Sequence, residues 1–338
     1  MRECGKKLIT KNKIFLVLLP VFSALIALSV GRMVIPFDDV IKVILNDFGQ
    51  NFEVSSQSTL VINSIRIPRI LTALLVGCGL SLSGSVFQSL FKNPLATPDT
   101  VGVAGGASFG AALGILLGFG FLGIEISAIL FGIFAVILTY IAGGKTTKNM
   151  SVFILSGVMI SSMFSGIISL VKYTADTESQ LPQITYFLMG SLSGAGYKNF
   201  VIGAPIIVFF AIFLYLIRWK LNLLLLSNDE AETSGSNMIL LKAFALICAS
   251  SMTAASVAMC GQVGWVGLLI PHIVRMKYGN NHTSVIPASA LIGGTFMVVV
   301  DTIARTVTAS EIPVSVLTSI IGAPFFIILM RKGKGWQL

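Results

Sequence analysis

The chain alternates long apolar runs with short polar joins. Continuous apolar stretches cover 14–30, 70–91, 101–120, 124–142, 152–171, 201–217, 242–260, 287–304 and 314–330. A bilayer core about 30 Å thick takes roughly 20 residues of helix, so each of these nine stretches predicts a span. A tenth, 263–274, is shorter and carries Gly and Pro. It reads as a short or broken span, which a membrane tolerates where the backbone is buried in protein or lines a cavity. Ten spans put both termini on one side.

Composition supports this pattern. Of the 338 residues 55% are hydrophobic and 11% charged, with mean hydropathy +0.91. A soluble domain carries about 25% charged residues. No soluble core of this size could hide so much apolar surface. The 33 Gly show no fixed period, which excludes collagen, and an apolar chain is not a disordered one. The fold class is therefore an all-α polytopic membrane protein. Cys4, Cys78, Cys248 and Cys260 form no CxxC or Cys/His spacing, so neither a disulfide framework nor zinc is expected.

The net charge of +9 changes meaning in this setting. On a soluble protein it would suggest nucleic acid; here the cations fall between apolar runs and set topology. With the N-terminus inside, 16 of the 23 Lys and Arg lie inside, beginning with Arg2, Lys6, Lys7, Lys11 and Lys13. The other seven, Arg32, Lys42, Arg66, Arg69, Lys172, Lys198 and Arg305, lie outside. The basic start and first apolar run also suit a signal peptide. No small-residue cleavage site follows, so the run is expected to stay as a helix. Residues 36–64 are expected to form a largely polar outer loop. Residues 172–199 form a second outer segment, in which Tyr186-Phe187-Leu188-Met189 suggests a re-entrant or interfacial helix. The largest inner loop is 218–241, with Asp229, Glu230 and Glu232 at its centre.

Several local patterns resemble chemistry without supplying its context. Gly144-Lys145-Thr146 ends like a phosphate-binding loop but lacks the glycine five residues earlier, where Thr139 stands, and follows a membrane helix. Asn281/Thr283 and Asn149/Ser151 match a glycosylation sequon but fall in inside loops. His272 with Ser108 would be the pair of an intramembrane hydrolase, though no third group is evident. An ion-coupled secondary transporter would be expected to place carboxylates within its spans. Asp99 and Glu125 sit at helix ends, and only Asp301 lies inside a span, four residues from Arg305 and suited to an intrahelical ion pair. With no charge relay, the driving energy should come from another chain. Arg66 and Arg69, flanking Pro68, serve either as interfacial anchors or, with Arg305, as an outer cationic patch that meets carboxylates.

Taken in order, Arg66-Ile67-Pro68-Arg69, Ser83-Gly84-Ser85-Val86-Phe87-Gln88 and Asn93-Pro94-Leu95-Ala96-Thr97-Pro98 carry a resemblance. So do Gly264-Trp265-Val266-Gly267, Pro271-His272-Ile273-Val274-Arg275, Asp301-Thr302-Ile303-Ala304-Arg305, Glu311-Ile312-Pro313-Val314 and Ile321-Gly322-Ala323-Pro324. Over about 14–332 the chain resembles the permease subunits of ATP-binding-cassette (ABC) importers for iron–siderophores, haem and cobalamin, the FecCD and BtuC-like family. The resemblance implies one permease domain of ten spans, like that of a vitamin B12 importer, in the bacterial cytoplasmic membrane. It implies a second permease copy or paralogue, two cytosolic ATPase subunits and an extracytoplasmic substrate-binding protein. The chain itself would be a transporter subunit, not an enzyme, and would bind no cofactor; ATP and Mg belong to the ATPase. A ferric siderophore is the expected cargo, with haem and cobalamin as alternatives. By the same resemblance Arg66, Arg69 and Arg305 meet glutamates of the binding protein. Asn93 and Leu95 narrow the cytoplasmic gate, where a plain helix stop is the competing reading. Loop 218–241 docks on the ATPase through Glu230, Ala231 and Gly235, although Asn228 and Ser234 depart from the family's usual residues. An inverted repeat of spans two to five and seven to ten is implied as well.

Overall fold

A computed structural model describes residues 2–143, 150–226, 230, 235, 237–308 and 310–331. Ten helices correspond to the ten predicted spans: α1 (Arg2–Ser29), α3 (Ser56–Leu90), α4 (Val103–Leu116), α5 (Phe121–Ala142), α6 (Met150–Thr174), α8 (Gly203–Ile217), α9 (Met238–Cys260), α10 (Val266–Tyr278), α11 (His282–Val307) and α12 (Val314–Arg331). Among the described residues two further helices stand out, α2 (Phe37–Asp47) and α7 (Gln180–Leu188). The second fills the segment expected to hold a short outer helix. The first corrects the polar-loop reading of 36–64: α2 buries Val40 and Val43, and α3 already begins at Ser56.

Among the described residues five helices, α3, α5, α6, α9 and α11, are long and apolar enough to cross a bilayer. The 14-residue α4 and 13-residue α10 reach only about 20 Å at 1.5 Å per residue. Each follows a non-helical stretch that supplies the missing depth. From the inner end, 91–97 leads to a 3₁₀ turn at Pro98–Val101, and from the outer end 261–265 leads directly into α10. Backbone without a helical ladder needs other partners inside a membrane. Thr139 Oγ1 donates to Val101 O at 2.9 Å and Ser161 Oγ to Asp99 O at 3.0 Å.

The order long helix, irregular stretch, short helix, long helix thus runs twice: α3, α4, α5 starting from outside, and α9, α10, α11 starting from inside. The halves interlock, because α3 packs on α9, α4 on α9, and α10 on α3. Contact between α3 and α10 is set by glycine. A Cβ on Gly84 would lie 1.8 Å from Gly267 O, and one on Gly77 would lie 2.2 Å from Gly293 O of α11. Small residues at such crossings let helix backbones touch, which is how helices associate without a hydrophobic drive.

Within α3 the residues 61–66 form a π-helical stretch. Pro68 has no N–H to offer the carbonyl of Ser64, so the ladder loosens immediately before it. That stretch ends on Arg66.

Candidate functional site

Charge collects at the outer ends of α1, α3 and α11. Arg69 Nε lies 3.0 Å from both carboxylate oxygens of Asp301, and its Nη2 donates to Asp301 Oδ1 at 2.8 Å. Its Nη1 donates to Glu311 Oε2 at 3.0 Å. Arg32 Nη2 stands 4.0 Å from the other oxygen of Glu311. Arg66 donates to Leu28 O and Met33 O, and Arg305 to Ala27 O, so both tie α1 to the bundle. Four guanidinium groups therefore gather about two carboxylates, so positive charge is in excess within this cluster.

Two sequence readings need correction. Asp301 does not find its partner four residues along its own helix; Arg69 takes it across the α3–α11 contact with a bidentate fork, a geometry a planar guanidinium matches best. Arg66, Arg69 and Arg305 do lie at the outer end, but none forms an exposed patch: they are 3%, 5% and 6% exposed. A buried cation is held only where oxygens replace its water, and here backbone carbonyls and two carboxylates do so. Arg32, with a side chain 52% exposed, is the member of the cluster at the surface. Sequence reading missed Glu311 as a partner of Arg69. It is the sole acidic residue between α11 and α12, and that count was a usable signal.

At the inner end the loops meet: Lys92 Nζ donates to Leu226 O, Asn222 Nδ2 to Asn281 Oδ1 at 3.1 Å, and His282 N to Asn222 Oδ1 at 2.8 Å. Asn93 Oδ1 accepts from Leu95 N at 2.9 Å, and Asn93 N donates to Gln88 O at 3.0 Å. Asn93 thus shapes the turn after α3, and Leu95 is left 44% exposed at its tip. Asn281 of the apparent sequon is the N-cap of α11, its Oδ1 accepting from Thr283 N at 3.0 Å. Gly235 is left-handed at φ +69, as a helix-ending glycine would be. Glu230 is helical, while Ala231 lies outside the described residues, as do Gly144 to Asn149.

The Ser83–Gln88 motif is a set of interhelical contacts. Ser83 Oγ donates to Ala249 O at 2.8 Å, Gly84 admits Gly267, Ser85 O accepts from Arg275 Nη2 at 3.0 Å, and Gln88 Nε2 donates to Leu268 O at 3.2 Å. Arg275 also reaches Ser89 Oγ at 2.7 Å, which lies 2.8 Å from His282 Nε2. His272 packs edge-on to Phe326, ring centroids 5.8 Å apart, and Ser108 Oγ points to Gln262 Oε1 at 3.5 Å. The hydrolase pair is therefore not assembled. Trp265 enters α10 with a left-handed φ of 70°, its ring and Cβ pressed on Gly322 of α12. Such strain survives only where packing enforces it.

Residues 18–332 match the model of the FecCD transport family. The chain is 40% identical over 321 residues, 94% of its own length and 95% of the other, to the molybdate import system permease protein MolB of Haemophilus influenzae. It is 35% identical to a Helicobacter pylori permease named for iron chelatin transport, over 86% of this chain and 88% of that one. A solved structure of a proposed metal-chelate type ABC transporter in an inward-facing conformation superposes with TM-score 0.86 at 38% identity, covering 96% of this chain and 99% of that one.

Proposed function

This chain belongs to the FecCD transport family, and from that membership we propose that it imports an anionic metal species, a molybdate-class oxyanion before a ferric chelate. It is a multi-pass membrane permease subunit of an ABC importer, a family whose permeases act with a second permease copy and with ATPases. It is not itself an enzyme. The observation that carries the cargo reading is the 40% identity over nearly the whole chain to a permease named for molybdate. The ferric chelate stands second, supported by 35% identity to a permease named for iron chelatin.

The cargo arrives, in this reading, on an extracytoplasmic binding protein at the outer face of the cytoplasmic membrane. The charge excess around Arg66, Arg69 and Arg305 attracts acidic residues of that protein, and Arg32 presents it at the surface. Leu95, exposed on the turn that Asn93 holds, narrows the inner exit. The 218–241 loop, with Glu230, Ala231 and Gly235, receives the ATPase stroke.

The deciding experiment reconstitutes the permease with its ATPase and binding protein in proteoliposomes and measures ATP-dependent uptake of radiolabelled molybdate and of a ferric siderophore. Uptake of molybdate that excess ferric siderophore does not compete away supports the first reading. Siderophore uptake without molybdate uptake replaces it with the second.

A further inference from the structure

A cavity of about 540 Å³ opens at the outer end, away from the arginine cluster. It lies under α7, between the end of α4, the start of α5 and the last turn of α9. Its walls are apolar, formed by Ile115, Phe121, Ile124, Phe187 and Met259. Glu125 lines this cavity and is 1% exposed. Its Oε1 accepts from Gly203 N at 3.2 Å, at the first turn of α8. Its Oε2 is buried and has no hydrogen-bond partner. A carboxylate oxygen left so is costly, and native structures seldom leave one unsatisfied without a reason.

Three hydroxyls line the same cavity. Tyr186 OH lies 3.1 Å from Ser193 Oγ, and Ser191 Oγ lies 3.0 Å from each of them. Each hydroxyl carries one proton and two lone pairs, so the trio keeps lone pairs that a visitor's N–H groups can use. The cavity therefore offers acceptors: one buried carboxylate oxygen and a hydroxyl array on apolar walls. A bare metal ion would need more ligands than this, and no group of three His, Cys, Asp or Glu side chains exists among the described residues. An anion would find no cationic side chain among the lining residues.

We propose that this cavity binds a primary ammonium group carried on an apolar body, with the ammonium on Glu125 Oε2 and its remaining N–H groups toward the hydroxyl trio. Two sources share this chemistry, the ethanolamine headgroup of a phospholipid and a free alkylamine. The site goes beyond the transport reading and does not depend on which cargo is carried.

The test measures the unfolding midpoint of the full-length permease in detergent against hexylammonium and, as a neutral partner of the same shape, hexanol. Hexylammonium should raise the midpoint at concentrations at least tenfold below those at which hexanol acts. Glu125→Gln should abolish that difference, whereas Glu53→Gln in the outer loop should preserve it. Equal responses to the two compounds in the wild-type protein overturn the proposal, and that comparison stands even if Glu125→Gln fails to fold. An unchanged preference in a folded Glu125→Gln protein overturns it too. Repeating the titration in nanodiscs separates the sources. Loss of the hexylammonium response when phosphatidylethanolamine replaces phosphatidylcholine assigns the site to lipid, and a response that persists in both assigns it to a soluble amine.

Discussion

Arg69 and Asp301, 232 residues apart, form a bidentate ion pair with side chains only 6% and 2% exposed, and this pair closes the outer end of the α3–α11 contact. Removing one member of such a pair strands a buried charge, at a cost of about 3–5 kcal/mol. Asp301→Asn, which leaves Arg69 only Glu311, should therefore lower the unfolding midpoint, while Arg69→Met with Asp301→Leu and Glu311→Gln should recover most of the loss. An Asp301→Asn protein as stable as wild type would remove the pair from the account of stability. Arg69→Glu, which sets three carboxylates together, would report on folding before it reported on docking.

Gly84 sits where α10 touches α3. Its Cβ, if present, would meet the backbone oxygen of Gly267 at 1.8 Å, and backbone cannot swing aside as a side chain can. Gly84→Ala should cost about 3 kcal/mol, at the upper end of overpacking penalties, and reduce ATP-dependent uptake. Gly264→Ala, with nothing within 4 Å of its Cβ, is the matched control and should be close to neutral. Thermal unfolding and vesicle uptake of the two variants check this.

Arg32 is the exposed member of the outer cluster. If long-range attraction guides the binding protein, Arg32→Glu should slow association by roughly tenfold at low salt and much less at high salt, where charges are screened. Surface plasmon resonance across ionic strengths reads this directly. An association rate that is the same for variant and wild type at low salt would contradict the docking role.

Asp176 organises the entry to α7. Its Oδ1 accepts from Ser179 Oγ at 2.7 Å, Ser179 N at 2.8 Å and Glu178 N at 3.1 Å. These donors, the Ser179 hydroxyl foremost, hold its pKa below the ordinary 3.8. Because the folded value is depressed, the stabilisation is present above the unfolded pKa and is lost as the pH falls through the folded one. Amides of Glu178–Leu181 should exchange faster in Asp176→Asn than in wild type at pH 6. The gap should narrow below pH 3.8, and no gap at pH 6 would refute the capping role.

The ten helical runs were readable from one dimension, because run length against bilayer thickness is a local sum, and the bias of Lys and Arg assigns their inner and outer ends. The short outer helix was legible from its apolar run Tyr186-Phe187-Leu188-Met189, though its start at Gln180 was not. Amphipathic α2 was not: its polar residues Asp38, Asp39 and Lys42 hid an alternating set of Val40, Val43 and exposed Phe37, Ile41 and Leu45. The family motifs pointed to the right residues and left their contacts unstated. In the sequence Arg66, Arg69 and Arg305 look like interfacial anchors or a surface patch, because basic residues at helix ends are usually solvated. Which oxygen each one takes is decided where helices distant in sequence converge. Asp301 had an arginine one helical turn away and another 232 residues away; desolvation and the planar fork selected the distant one. Gly84 against Gly267, and Glu125 lining one cavity with a hydroxyl trio, are likewise relations between segments distant in sequence. Pattern along the chain determines that an apolar helix is made and which way it points. Only packing determines which buried charge answers which, since that energy exists only after water has left.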